Sequence, residues 1–79
     1  MNKRLAELLA DVFGLRVNEI QPGLQQCEVG TWDSLKQMDL VMSLEREYGI
    51  ELEIPEILRM TSVAKIMTAL QDKGVDIGS

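Results

Sequence analysis

Residues 31–44 read TWDSLKQMDLVMSL, and this stretch decides how the chain is read. It sets an Asp-Ser-Leu triplet at a helix start, in a sequence with no histidine that could activate the serine. Asp33 and Ser34 are both residue types that cap helices well. With Asp33 as the cap, its carboxylate accepts the orphan N–H groups of the first turn and complements the positive end of the helix dipole; Ser34 is then the first helical residue, its hydroxyl free. With Ser34 as the cap, the serine has a structural task and no other.

The helix that follows carries two apolar stripes. At about 100° per residue, Leu40, Val41, Leu44 and Tyr48 share an arc of roughly 100°, a core face. Leu35, Met38 and Met42 form a second stripe, centred roughly 140° away. One small domain rarely buries both. An apolar ridge with two flexible methionines, flanked by Asp39 and Arg46 on one side and Glu45 on the other, describes a docking surface able to fit several partners. The competing arrangement packs Leu35 and Met38 under a loop and Met42 against a short helix.

Outward from this helix the pattern stays helical. Gly49 closes the segment at a C-terminal cap position. IELEI after it alternates like a strand but has no partner strand, so an extended link is expected. Pro55 suits the first turn of a short helix over 55–60. Thr61 or Ser62 caps a last helix over 62–73, where Val63, Ile66, Met67 and Leu70 keep the i, i+3, i+4, i+7 spacing before Gly74. The closing VDIGS is expected to fray.

Upstream, Leu5, Leu8, Leu9 and Val12 line one face of a helix over 3–13, with Gly14 as its cap. Between Gly14 and Asp33 lie glycines, a proline and no clean periodicity, a long connection of the kind that is often functional. Ile20 and Leu24 are its expected anchors, and Trp32 is expected to pack on the core. The predicted fold is all-α: a small antiparallel four-helix bundle of three main helices and one short one, with a long loop between the first and second helices. Residues 1–79 form a single domain in this reading.

Composition excludes several functions. The 79 residues are 46% hydrophobic and 27% charged, an ordered globular chain near the lower size limit for one core. Eight basic against thirteen acidic residues give a net charge of -5, which works against nucleic-acid binding and favours a basic partner surface. Cys27 is the lone cysteine, so neither an internal disulfide nor a thiolate-rich metal site is expected. A reducing cytoplasm is the default. Glu7 and Asp11 interrupt the apolar part of the N-terminal segment, unlike a signal peptide, and no run is long enough to span a membrane. The expectation is a soluble, unprocessed monomer.

Catalysis finds no machinery. Lys36 does not face Ser34 on a helix, G-x-S-x-G is absent, and Cys27 without a histidine is an inert thiol. There is no Gly-rich phosphate loop, Walker lysine or metal-ligand spacing. The chain is expected not to be an enzyme.

Taken together, DSLKQMDLVMSLEREYGIEL resembles the acyl carrier protein family, and the order of helix, long loop, helix, short helix, helix extends the resemblance over nearly the whole chain. The resemblance implies that Ser34, with Asp33 as the helix cap beside it, carries 4'-phosphopantetheine. The arm would come from coenzyme A through a separate magnesium-dependent phosphopantetheinyl transferase, and its thiol would hold acyl groups as thioesters. Leu35, Met38, Asp39, Met42 and Glu45 would meet basic docking surfaces on acyl-loading ligases or transferases, synthases and acyltransferases. Housekeeping fatty-acid carriers typically read Gly-Ala-Asp-Ser-Leu, whereas Thr31 and Trp32 precede Asp33 here, and Lys36 and Arg46 break the acidic row. Fatty-acid, lipid and specialised, polyketide-like assembly are all compatible. So are an aminoacyl (for instance D-alanyl) or peptidyl carrier and, from another class, an unmodified helical adaptor.

Overall fold

The computed structural model describes residues 2–77. Helix α1 (Lys3–Phe13) starts where the Asn2 side chain accepts the Leu5 N–H at 3.1 Å, and ends at Gly14 in the left-handed conformation, φ 69°. Helix α2 (Ser34–Tyr48) ends in the same way at Gly49, φ 63°. Both positions need glycine because a Cβ disfavours positive φ. Helix α3 (Ile54–Arg59) opens one residue before Pro55, with Glu53 at the cap position. Helix α4 (Val63–Asp72) is capped by the Ser62 hydroxyl, which accepts the Lys65 N–H at 3.2 Å.

The tertiary contacts give the topology. Arg4 at the start of α1 meets Glu47 and Tyr48 at the end of α2, while Phe13 at the end of α1 stacks on Trp32 just ahead of α2. These two helices therefore run antiparallel. Glu56 in α3 pairs with Lys73 just past the end of α4, which ties the short helix to the C-terminal end of the last one. Among the described residues the fold is all-helical, with one isolated bridge between Gln25 and Ser62.

The core gathers Leu5, Leu9, Phe13, Leu40, Leu44, Met60, Val63, Ile66 and Leu70. Its face on α1 differs from the one periodicity suggests. Leu5 and Leu9 are buried, but so are Ala6, Ala10 and Phe13, while Leu8 and Val12 are half-buried. The inward face is turned by roughly 80° from the predicted stripe. Phe13 is drawn in by Trp32, and the two alanines are short enough to let neighbouring backbone come close. Tyr48, predicted on the α2 core face, is likewise half-buried, with Arg4 lying over its ring 5.2 Å from the centroid.

Two further expectations need correction. The long connection is not featureless: it holds two 3-10 turns, Val17–Glu19 and Gln26–Glu28. Each is closed by its own glutamate, Glu19 accepting the Arg16 N–H and Glu28 the Gln25 N–H, both at 2.9 Å. Ile20, Val29 and Trp32 bury it on the core, with Leu24 half-buried. The tail does not fray before residue 77, because Ile77 is 1% exposed and Val75 packs beside it on the core. Gly78 and Ser79, the rest of the expected frayed tail, lie outside the described residues.

Candidate functional site

The start of α2 resolves which residue caps it. Asp33 is extended (φ -105°, ψ -170°), and its Oδ1 accepts the Lys36 N–H at 2.9 Å. Its carbonyl accepts the Gln37 N–H at 2.8 Å. Ser34 is thus the first helical residue, exposed, and its hydroxyl makes no hydrogen bond among the described residues. No base stands beside it, and the Lys36 ammonium leans instead toward Asp39, 3.9 Å from its carboxylate.

What holds this helix start in place is a set of contacts from distant segments. Thr31 Oγ1 donates to the Phe13 carbonyl at 2.8 Å, joining the end of α1 to the approach to α2. Trp32, 3% exposed, stacks on Phe13 with ring centroids 4.4 Å apart. Its indole Nε1–H donates to Gln37 Oε1 at 2.6 Å. Gln37 Nε2 donates in turn to the carbonyls of Ile57 at 2.9 Å and Met60 at 3.3 Å, at the far end of α3. Gln26 Nε2 reaches the Trp32 carbonyl at 3.2 Å. The sequence carries a signal for Gln37: at about 100° per residue it falls inside the arc of Leu40, Leu44 and Tyr48. A polar residue on a core face calls for partners.

The second stripe of α2 is a surface. Leu35, Met38 and Met42 are 79%, 51% and 61% exposed, so they pack neither under the loop nor against α3. Ile54 and Leu58 of α3 are exposed as well, a second apolar pair on a second helix. Residues 54 and 58 are an i, i+4 pair on a six-residue helix, too short for periodicity to single out.

The acidic residues divide into two groups. Asp39 is exposed beside the second stripe of α2, paired loosely with Lys36. Glu45, expected to face a partner, is half-buried, and its Oε2 accepts the Leu52 N–H at 2.9 Å, which fastens the extended link to α2. Glu56 Oε1 accepts the Glu53 N–H at 2.8 Å and pairs with Lys73 Nζ at 2.9 Å. The Lys73 hydrogen bond, and behind it the Glu53 N–H, hold the Glu56 carboxyl below its usual range; the Glu56 carboxylate raises Lys73 in return. Burial pushes the Tyr48 hydroxyl up, and its oxygen has no hydrogen-bond partner among the described residues.

A small helical bundle presenting an unengaged serine at the head of an exposed apolar helix face has the form of a carrier domain. The chain belongs to the phosphopantetheine attachment site family, which matches residues 3–77. Its covalent cofactor is 4'-phosphopantetheine, and carrier domains of this family are not themselves catalysts. The chain is similar to polyketide-8 synthase acyl carrier protein 2 of Streptomyces avermitilis, 34% identical over 71 residues, which cover 90% of this chain and 82% of that protein. It is 34% identical over 67 residues to a non-reducing polyketide synthase of Emericella nidulans, matching 85% of this chain but spanning only 3% of the synthase. An acyl carrier protein of Rickettsia bellii is 24% identical over 72 residues, 91% of this chain and 89% of its own length. Among the described residues no helix is long and apolar enough to cross a membrane.

Proposed function

We propose that residues 1–79 act as one acyl carrier domain modified at Ser34, serving a cytoplasmic, polyketide-like or related lipid assembly. The observation that carries this reading is the exposed, unengaged Ser34 hydroxyl directly behind the Asp33 cap. Its surroundings fit a phosphodiester: the N–H groups of the first turn favour an anion, and the one carboxylate at the helix start is already held by the Lys36 N–H. Ser34 Oγ would form the ester to the phosphate of the pantetheine arm while the bond to the adenosine bisphosphate of coenzyme A breaks. With no histidine in the chain, the serine proton leaves to the transferase or to solvent. When bound, the arm supplies a thiol that holds acyl groups as thioesters, and the chemistry belongs to partner enzymes.

For its part, the protein presents a surface. Leu35, Met38 and Met42 beside Asp33 and Asp39 offer an apolar ridge with an acidic edge to basic docking surfaces on transferases, loading ligases and synthases. Lys36 and Arg46 interrupt that edge, which suits partners other than those of a standard fatty-acid synthase. The polyketide relatives support the same direction.

Intact mass after incubation with coenzyme A, magnesium and a broad-specificity phosphopantetheinyl transferase tests the assignment. One phosphopantetheinyl addition, lost in Ser34→Ala, is expected. No addition with several transferases would leave the unmodified adaptor as the better reading. Loading the modified protein with acyl and aminoacyl ligases then separates an acyl carrier from an aminoacyl one, and exclusive charging with amino acids would overturn the acyl assignment.

A further inference from the structure

We propose that Gln37 is a positioning residue: its side-chain amide locks the start of α2, where Ser34 sits, to the end of α3, so that a transferase or synthase meets the apolar residues of both helices as one pre-set surface. The inference rests on Ser34 as the attachment residue and adds what aligns the surface around it.

The amide is fully used. Its Oε1 accepts from Trp32 Nε1 at 2.6 Å, and its Nε2 donates to the carbonyls of Ile57 and Met60. Chemistry dictates which way round the amide lies, because an indole N–H only donates and a carbonyl only accepts. A flipped amide would lose all three bonds.

Helix α3 has little else to hold it. It is six residues long and has no buried residue of its own, and at its end the Ile57 carbonyl accepts the Met60 N–H at 3.2 Å and has a lone pair left for a further donor. It is held by half-buried Ile57, by the buried Met60 that follows it, by the Glu56 pair with Lys73, and by Gln37. Gln37 is the one of these that reaches into the first turn of α2. Gln37 stands on the inward face of α2, roughly 130° round the helix from Leu35, Met38 and Met42, so the bond sets how α3, with its exposed Ile54 and Leu58, sits against α2. Trp32, buried against Phe13, fixes the other end of the amide. A partner that reads the exposed apolar residues of both helices gains affinity when their spacing is set beforehand.

The test compares wild type, Gln37→Met, Gln37→Glu and, as a control of lowered stability, Leu15→Ala, a half-buried residue outside α2 and α3. Gln37→Met removes every bond. Gln37→Glu keeps an acceptor for the indole and loses the donors to α3. On the unmodified chains, amide hydrogen exchange over 54–60 and the Trp32 indole N–H resonance are read by NMR. Modification rates from intact mass give KM and kcat for the transferase.

Both Gln37 variants are expected to speed exchange across α3 and to raise KM roughly five- to ten-fold, the scale of one lost hydrogen bond, with kcat little changed. Gln37→Met moves the indole resonance toward that of an unbonded N–H, whereas Gln37→Glu keeps it bonded and moves it the other way. Leu15→Ala melts earlier with KM as in wild type. A KM within about two-fold of wild type in both Gln37 variants, or the same rise in Leu15→Ala, overturns the positioning role while leaving Ser34 modification intact. A wild-type chain that is never modified overturns the Ser34 reading, and with it this one.

Discussion

Replacing Trp32 with alanine probes the joint that holds the start of α2 to the bundle. The side chain is 3% exposed, stacked on Phe13 at 4.4 Å and bonded to Gln37. Truncating a buried tryptophan costs about 3–5 kcal/mol, including the cavity it leaves. Within that sum, the pairing with Phe13 accounts for roughly 0.5–1.5 kcal/mol and the hydrogen bond for about 1 kcal/mol. A domain of this length has a total stability of about 4–12 kcal/mol, so Trp32→Ala removes a large share and unfolds a chain at the lower end. Trp32→Phe keeps an aromatic ring against Phe13 and loses the indole N–H, for an expected cost of about 1–2 kcal/mol. Urea unfolding followed by circular dichroism gives both values without relying on the lone tryptophan as the probe. A Trp32→Ala cost below about 1.5 kcal/mol would refute the reasoning, since it would mean that the tryptophan covers the core without anchoring the loop.

Other substitutions separate the remaining roles. Ser34→Ala should abolish the mass addition at a stability cost under about 1 kcal/mol, whereas Asp33→Ala, the actual cap, should cost about 0.5–2 kcal/mol; equal costs in chemical denaturation would contradict the capping assignment. Met42→Glu should weaken capture by a loading enzyme, measured by surface plasmon resonance, and move stability by no more than about 0.5 kcal/mol. A larger loss would show the methionine to be packed. Ile77→Ala should cost about 2–4 kcal/mol, and a change too small to measure would restore the frayed tail. The Glu56 and Lys73 pair predicts a pH window for Lys73→Met. Glu56 is lowered, so its contribution is present above the ordinary carboxylate range and disappears as pH falls through its folded value. Lys73 is raised, so its contribution is present below the ordinary lysine range and disappears as pH rises through its folded value. The wild-type advantage over Lys73→Met in urea midpoint should therefore be flat near neutrality and shrink at both extremes; no shrinkage in acid would place the stabilisation outside this pair.

The glutamates show why net charge is a coarse guide to partners. Glu19, Glu28, Glu45 and Glu56 each accept a backbone N–H and close a turn or fasten a link. Their charge contributes to the -5 of the chain, but their first task is structural. Asp33 is likewise committed to the cap of α2, whereas Asp39 beside the ridge is exposed and held only by the loose pair with Lys36.

Features of short range were legible in the amino-acid order. Gly14 and Gly49 as left-handed stops, the two stripes of α2, and the narrowing of each cap to a neighbouring pair, Asp33 or Ser34 and Thr61 or Ser62, each depend on residues within a turn or two of one another. So local chemistry was enough to place the helices and to show that Ser34 heads one of them without a base. Tertiary structure alone decided what distant segments do to each other: the rotation of α1 that brings Ala6 and Ala10 inward, the turn of Glu45 onto Leu52, the burial of Ile77, and the bonds from Gln37 to carbonyls 20 and 23 residues away. No pattern along the chain encodes such pairs, because a glutamine or a glutamate carries the same chemistry whether it meets water or a carbonyl and an N–H that folding happens to leave unpaired.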